Sequence, residues 1–253
     1  MKKISTSRCF GLFILTIGPA VIMPVAARAE TIEGTIIVKK KLTKRRVTAE
    51  VPMYERGPAV ELGADGGKDQ KDPLAFERER VAIYLEGRAP LEAPADTVNI
   101  PKMEQENRRF VPEMLVVQAG SKVSFPNLDP IFHNVFSLSG AKTFDLGNYP
   151  KGDTRIVSFP EPGIVFVNCH LHSNMTATIV VAPNKWNTKA GRDGHFELTG
   201  VPPGKYTIVA WHKTSGPIRH TVTVTPGNVE HVEFLIPLDD SLPASGLLSR
   251  GGN

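Results

Sequence analysis

The segment Val167-Asn-Cys-His-Leu-His-Ser-Asn-Met175 places Cys169, His172 and Met175 at intervals of three residues. A further histidine with an apolar approach, His133, lies upstream in the run Pro-Ile-Phe-His-Asn-Val-Phe. One thiolate, two imidazoles and a thioether form the ligand set of blue copper sites that transfer electrons. The sequence therefore predicts one mononuclear type 1 copper bound by these four side chains.

Each residue of this set also has an ordinary structural explanation. Met175 alone is typical of a core side chain, Cys169 of a small buried apolar residue, and His133 of a half-buried histidine. The combination is restrictive enough to favour a metal site. His170 is expected to point away from the site, because neighbours on an extended chain face opposite ways. If His170 and His172 both bound a metal, a redox-inert zinc site would become an alternative, although the thioether of Met175 argues against zinc.

The first 29 residues have the pattern of a secretory signal peptide. A positively charged start precedes a short apolar run over Phe10–Val25, and Ala27-Arg28-Ala29 fits the small-x-small cleavage pattern. The apolar run is short and interrupted by glycine and proline, so it predicts export without a membrane span. We expect a periplasmic protein whose mature chain begins at Glu30.

Removal of this segment changes the charge and cysteine arguments. It takes four of the 30 basic residues and none of the 26 acidic ones, which leaves 26 of each and no indication of a nucleic-acid partner. It also removes Cys9, so Cys169 becomes the single cysteine of an exported chain and cannot form an internal disulfide. A metal ligand role explains why that cysteine is present.

Short Val-, Ile-, Thr- and Phe-rich runs separated by Gly and Pro predict an all-β fold, and no long run has helical periodicity. We expect a first strand over Thr31–Val38 and a further strand over Arg80–Leu85. Arg155–Phe159 and Ile164–Asn168 are predicted to form a hairpin across Pro160-Glu-Pro-Gly. Cys169 then follows one strand and Ala177 begins the next, so strand ends position the predicted ligands.

The region Phe110–Val181 resembles a cupredoxin of the plastocyanin and amicyanin type. The resemblance is carried by Phe110-Val-Pro-Glu, Val117-Gln-Ala-Gly-Ser-Lys-Val-Ser-Phe-Pro-Asn, His133-Asn-Val-Phe-Ser and Cys169-His-Leu-His-Ser-Asn-Met. A closer similarity, carried by Ser137-Leu-Ser, Phe144-Asp-Leu-Gly and the downstream Pro202-Pro-Gly-Lys-Tyr, is to periplasmic plastocyanin-like proteins described as methylamine utilization proteins. The resemblance implies a Greek-key β-sandwich, the ligands His133, Cys169, His172 and Met175, and a role for Asn134 in tying the two ligand loops together.

The segment Gly191–Pro237 resembles the carboxypeptidase regulatory-like, transthyretin-like sandwich, for which a structural role is implied. We therefore expect a second, smaller β-sandwich module. Because that module has few strands of its own, the N-terminal strand is predicted to pack with it. The predicted division of the chain is a signal peptide (1–29), an N-terminal strand with a basic, Gly-rich insertion (30–77), a cupredoxin domain (78–182), the second module (183–237) and a disordered tail (238–253).

The basic run Lys39–Arg46 is interpreted as a solvated hairpin, with a docking patch for an acidic partner as the alternative. The favoured function is a periplasmic electron carrier that works with a redox protein partner and is not an enzyme. A copper-handling or copper-sensing envelope protein with the same ligands is the first alternative, and a structural β-sandwich with an incidental metal site is the second. Reversible one-electron cycling with a partner would distinguish a carrier from a copper-handling protein.

Overall fold

The computed structural model describes residues 30–42, 72–87 and 99–237. The predicted signal peptide, most of the basic and Gly-rich insertion, and the predicted tail lie outside these ranges. Within the described ranges no helix is both long and apolar enough to cross a membrane. These ranges form sixteen strands and one short helix, in the order β1 (Glu30–Val38), α1 (Ala75–Arg78), β2 (Val81–Leu85), β3 (Glu104–Glu106), β4 (Arg109–Val111), β5 (Met114–Gln118), β6 (Lys122–Pro126), β7 (His133–Ser139), β8 (Lys142–Tyr149), β9 (Thr154–Ser158), β10 (Gly163–Asn168), β11 (Thr176–Ala182), β12 (Asn187–Lys189), β13 (His195–Val201), β14 (Gly204–His212), β15 (Gly216–Val224) and β16 (Glu230–Ile236).

Strands β3–β11 build a first sandwich. Its main layer is a five-stranded sheet in the order β5-β11-β10-β7-β8, and the pairs β6-β9 and β3-β4 lie against it. The chain crosses between layers as it goes from β5 to β6, from β6 to β7 and from β8 to β9. Alternate apolar side chains of both layers meet in one buried core that includes Phe125, Val135, Phe159, Val165 and Ile179. The prediction of an all-β chain with one β-sandwich and a second β module is confirmed.

The remaining strands build a second sandwich from a three-stranded sheet, β13-β1-β16, and a four-stranded sheet, β12-β2-β14-β15. Its core is separate from that of the first sandwich and includes Ile32, Ile83, Leu85, Ile208 and Phe234. Full burial of each such side chain contributes roughly 1.5–3 kcal/mol to folding. The two cores are independent apolar clusters within one chain.

Strand β1 is the central strand of the three-stranded sheet. It pairs antiparallel with β13, with Gly34 opposite Phe196, and parallel with β16, with Gly34 opposite Val232. Without β1, strands β13 and β16 would each lose their shared ladder partner. The prediction that the N-terminal strand packs with the C-terminal module is therefore confirmed.

A third apolar cluster joins the two sandwiches. Ala82 and Trp211 of the second sandwich pack with Met114 and Val180 of the first. Val180 faces this junction while its neighbour Ile179 faces the first core, so β11 is buried on both faces. That double burial explains why Ile179–Ala182, the second half of β11, is a continuous apolar run instead of an alternating one.

The predicted hairpin between Arg155–Phe159 and Ile164–Asn168 is wrong. Strand β9 pairs with β6, whereas β10 pairs with β11 and β7. The segment between them includes Pro160 and Pro162, which have no N–H to donate to a ladder, and it carries the chain from one layer to the other. Two neighbouring strand patterns indicate that strands exist, but they do not indicate in which sheet each strand lies.

The position of β2 also differs from the prediction, which assigned the strand to the cupredoxin domain (78–182). The structure pairs β2 with β14 and β12 in the second sandwich, with Ile83 opposite Ala210. Ile83 and Leu85 contribute to the second core, and Ala82 faces the junction. Because both faces of β2 are buried, its apolar sequence carries no signal that distinguishes one sandwich from the other.

Substitution of Gly34 tests the packing of β1. A Cβ atom at this position would overlap the Phe196 ring and the Val232 carbonyl oxygen. We expect Gly34→Ala to lower the free energy of unfolding by about 1–3 kcal/mol, as overpacking of a core does. Gly140→Ala is the matched control, because a Cβ there meets no atom within 4 Å. Urea unfolding that gives both variants the same stability would contradict this account of β1.

Candidate metal centre

The loop from Cys169 to Met175 connects β10 to β11 and is closed by its own backbone. The Cys169 N–H donates to the Met175 carbonyl oxygen at 3.2 Å, and the Met175 N–H donates to the His172 carbonyl oxygen at 2.9 Å. The ladder below it ends with Asn168 opposite Thr176. Cys169 and Met175 therefore leave the two strands side by side, and both are buried, whereas His172 lies half-buried between them.

Three of the four predicted ligands converge on one point. The Sγ atom of Cys169 lies 3.9 Å from Nδ1 of His133 and 3.7 Å from Nδ1 of His172. One ligand atom from each of the three residues lies within 4.8 Å of the others, and the two imidazole rings are tilted at 59°. His133 begins β7, so the site forms where β7 meets the end of the β10–β11 hairpin.

The two sulfur-to-nitrogen separations match those of a trigonal metal site. Bonds of about 2.3 Å to sulfur and about 2.0 Å to nitrogen, at about 120° to each other, separate sulfur from nitrogen by about 3.7 Å. The observed separations, 3.9 and 3.7 Å, are close to that value. One thiolate with two imidazoles is the trigonal donor set of type 1 copper.

Met175 is placed beside the cluster by the backbone of the loop. Its side chain is 1% exposed and belongs to the same apolar core as Cys169. The structure thus buries the thioether in the apolar core that also contains Cys169. Its role as the fourth ligand stays a prediction.

His170 lies outside the donor cluster, on the outer face of the sheet. Its ring stacks on Phe136 with the centroids 3.7 Å apart, and its Nε2 atom is 3.7 Å from a carboxylate oxygen of Asp145. The side chain is 57% exposed. The prediction that His170 points away from Cys169 is confirmed. The zinc alternative required His170 as an additional ligand beside His172, and His170 does not belong to the cluster.

The other nitrogen of His133 is held by a buried carboxylate. Nε2 of His133 lies 2.7 Å from Oδ2 of Asp129, an arrangement in which Nε2 carries the proton and Nδ1 offers its lone pair toward Cys169. Burial raises the pKa of Asp129, but hydrogen bonds from the Arg108 N–H, from His133 and from the Asn107 N–H lower it by more. The net pKa is therefore below its usual value. Asp129 is therefore ionised at neutral pH and fixes the orientation of the imidazole.

A tight turn between β3 and β4 supplies the donors for that carboxylate. Asn107 and Arg108 have φ values of 53° and 55°, in the left-handed region that non-glycine residues seldom adopt. Their two backbone N–H groups donate to Asp129 at 2.6 and 2.8 Å. Successive backbone N–H groups that converge in this way form an anion-binding nest, occupied here by a side chain of the same protein.

Asn127 shapes the loop that carries Asp129 and His133. Its side-chain amide donates to the carbonyl oxygens of Ile131 and Tyr149, and its Oδ1 atom accepts the Asp129 N–H. These bonds form a tight bend over Asn127-Leu-Asp-Pro. The His133 imidazole is thus held in place by the Asp129 side chain, by the bend at Asn127 and by strand β7.

Asn134 links the two ligand segments. Its backbone N–H donates to Sγ of Cys169 at 3.5 Å, and its Oδ1 atom accepts the His170 N–H at 3.4 Å. The first bond places a donor on the sulfur, and the second ties β7 to the Cys169 loop. The connecting role predicted for Asn134 is confirmed.

The pKa of His172 is lowered, mainly by burial and further by electrostatic interactions with His133 and Arg108. A lowered pKa keeps the imidazole neutral at pH 7, so its Nδ1 lone pair is free to bind a metal. With His133 oriented by Asp129, both imidazoles present nitrogen lone pairs to the space beside the sulfur. The site is prepared for a cation by the protein alone.

Two carboxylates that support this site, Asp129 and Asp145, were not predicted from the sequence. Asp129 stands four residues before His133 in the same loop. Asp145 lies on β8, a strand that the analysis did not predict, and contacts Asn134. An acidic residue shortly before a ligand histidine was a local signal for the first, while nothing local pointed to the second.

Comparison with known proteins gave matches only among solved structures. No protein-family model and no curated protein matched the chain. A Cu-containing nitrite reductase (NirK) from Thermus scotoductus SA-01 is similar over 38% of this chain and 27% of its own, with 21% identity and a TM-score of 0.32. A Cu(I) amicyanin mutant and a reduced amicyanin mutant each match over 39% of this chain and 97% of theirs, with 19% and 20% identity and TM-scores of 0.32 and 0.31. The nitrite reductase match spans about a quarter of that enzyme's length.

Removal of the Asp129 charge tests its role at His133. An asparagine there would replace one acceptor oxygen by an NH2 group that cannot accept from His133 or from the turn. We expect Asp129→Asn to weaken copper binding about 10–100-fold, as loss of a partner of a metal-bound histidine does. Asp153→Asn is the control, since Asp153 is half-exposed and lies near Arg155 on the surface. Equal affinities for both variants in a chelator competition titration would refute the assignment.

Proposed function

We propose that this chain is a periplasmic type 1 copper protein that carries single electrons between redox partners. The observation that carries the proposal is the convergence of Nδ1 of His133, Nδ1 of His172 and Sγ of Cys169 within 4.8 Å. Bound copper would supply one-electron chemistry by alternating between its Cu(I) and Cu(II) states. Met175 is proposed as the axial ligand that adjusts the reduction potential.

The protein's contribution is a donor set that needs little rearrangement. Cys169 is fixed by the strand end and by the Asn134 N–H, and His133 is fixed by Asp129. Sulfur suits Cu(I) and nitrogen suits Cu(II), so a rigid set that contains both is a compromise for either state. Small structural change between oxidation states favours fast electron transfer.

Burial of the ligands favours a carrier over a copper-handling protein. His133 is fully buried and Cys169 is 5% exposed. A protein that passes copper to others needs ligands that a second protein can reach, whereas a carrier needs to retain its metal. An electron carrier is not an enzyme, since it transforms no substrate of its own.

The surface around His172 suits a transient redox partner. His172 is the half-exposed ligand, and Leu171 and Phe132, the residues before His172 and His133, are 48% and 57% exposed. A contiguous apolar patch on the surface marks a contact site for another protein, and Leu171 and Phe132 are proposed to form such a patch beside the ligands. We propose that a redox protein docks here and exchanges electrons through the exposed edge of His172.

Two further assignments complete the proposal. Residues 1–29 direct export to the periplasm, and the second sandwich is a carboxypeptidase regulatory-like module with a structural role. Its four-stranded sheet covers the outer face of β5 and β11, where Met114 and Val180 meet Trp211. The module thereby shields apolar surface that would otherwise be exposed.

Replacement of the thiolate tests the type 1 assignment. We expect Cys169→Ser to abolish the intense visible absorption of the Cu(II) protein, because that absorption requires a sulfur-to-copper bond, and to leave the circular dichroism of the β fold unchanged. Ser173→Ala is the control, since Ser173 is exposed in the same loop. A coloured Cys169→Ser protein would exclude Cys169 as the ligand responsible.

Replacement of the thioether tests the axial ligand. We expect Met175→Leu to retain copper and to have a higher reduction potential, because loss of the axial donor favours Cu(I). Met103→Leu is the matched control, since Met103 is fully buried in the same core. Voltammetry that shows no difference between these two variants would mean that Met175 only fills the core.

A further inference from the structure

An irregularity between β7 and β8 lies beside the candidate site. Asn134 pairs with Asn148, but Phe136 pairs with Asp145, so β8 contains one residue more than β7 over this interval. Gly147, inside the interval, has a φ of 66° that favours glycine. Such a β-bulge changes which side chains face each side of the sheet.

The bulge determines where Asp145 points. In a regular ladder Leu146 would lie opposite Phe136, and Asp145 would face the other side. With the extra residue, Asp145 shares the outer face with Phe136 and Asn134. Its carboxylate accepts the side-chain amide of Asn134 at 2.6 Å and the Gly147 N–H at 2.9 Å, and these two bonds keep its pKa below the usual value.

The bond to Asp145 determines the orientation of the Asn134 side chain. An amide has a donor end and an acceptor end, and the two are exchanged if it flips. With its NH2 group on Asp145, the Oδ1 atom of Asn134 faces the His170 N–H and accepts it. The Asn134 backbone N–H donates to the Cys169 sulfur. Gly147, Asp145, Asn134 and the Cys169 loop thus form one continuous chain of hydrogen bonds.

We propose that Asp145 is a positioning residue of the copper centre, which the β8 bulge aims at Asn134 so that the Asn134 N–H stays on the Cys169 sulfur. This inference rests on the proposed function, because it assigns Asp145 a part in tuning the copper–sulfur bond. A hydrogen bond to a metal-bound thiolate alters the electron density on sulfur. Asp145 would therefore influence the site without contact to any ligand.

Two replacements separate the hydrogen bond from the charge. Asp145→Asn retains an oxygen that accepts from Asn134 and Gly147 but removes the negative charge, whereas Asp145→Ala removes both. The Asp145 side chain is 58% exposed, so neither change leaves a cavity in the core. Asp153→Asn controls for a change in surface charge, because Asp153 is a half-exposed carboxylate that directly precedes β9.

The experiment compares these proteins by the visible and electron-spin-resonance spectra of the Cu(II) form and by the rate of copper loss to a chelator. We expect Asp145→Ala to shift the sulfur-to-copper absorption and to lose copper about tenfold faster or more, the lower end of effects at supporting residues. Asp145→Asn should retain the wild-type band and rate. Identical behaviour of the Ala and Asn variants would overturn the proposal.

A measurement on the metal-free protein makes the test independent of copper. Amide hydrogen exchange at His170 should accelerate several-fold in Asp145→Ala and stay unchanged in Asp145→Asn, because only the first frees the Asn134 amide to rotate. Unchanged exchange in both would refute the hydrogen-bond chain. If wild-type protein takes up no coloured copper while the two variants still differ in this way, the proposed function fails. The role of Asp145 in orienting Asn134 would then stand.

Discussion

The candidate site depends on holding one buried thiol against two imidazoles before any metal arrives. Left free, these side chains would lose rotamer entropy on binding a metal. Here the loop after β10 is closed by its own backbone, and the His133 ring is fixed at Nε2 by Asp129. Much of the ordering is thus part of folding, and the site owes its geometry to the sheet.

Support for the two ligand segments comes from distant parts of the chain. The two-residue turn of the β3–β4 hairpin has positive φ values at Asn107 and Arg108, as the favoured turn of a hairpin of this length requires, and its N–H groups hold Asp129. On the other side of β7, the β8 bulge aims Asp145 at Asn134. One carboxylate therefore supports the imidazole side of the site, and another supports the sulfur side.

Features that depend on residues close together in the sequence were predictable, whereas features that depend on the pairing of distant strands mostly were not. The spacing of Cys169, His172 and Met175 is local, so it was readable, and the orientation of His170 followed from strand alternation. The pairing of β1 with the C-terminal strands was inferred from the lack of a local partner. The sheets to which β2 and β9 belong were not predictable, because their sequences indicate a strand but not the strand with which it pairs. Asp145 acts through a bulge, which depends on the register of two strands and has no sequence pattern of its own.

The most direct test of the central claim is a titration of the metal-free protein with Cu(II), followed by visible absorption and electron-spin resonance. The account predicts saturation at one copper per chain, an intense sulfur-to-copper absorption, and the narrow copper hyperfine splitting of a type 1 site. A colourless complex with the wide splitting of an ordinary tetragonal Cu(II) site would contradict it, because the Cys169 thiolate and the two imidazoles would then not share the metal.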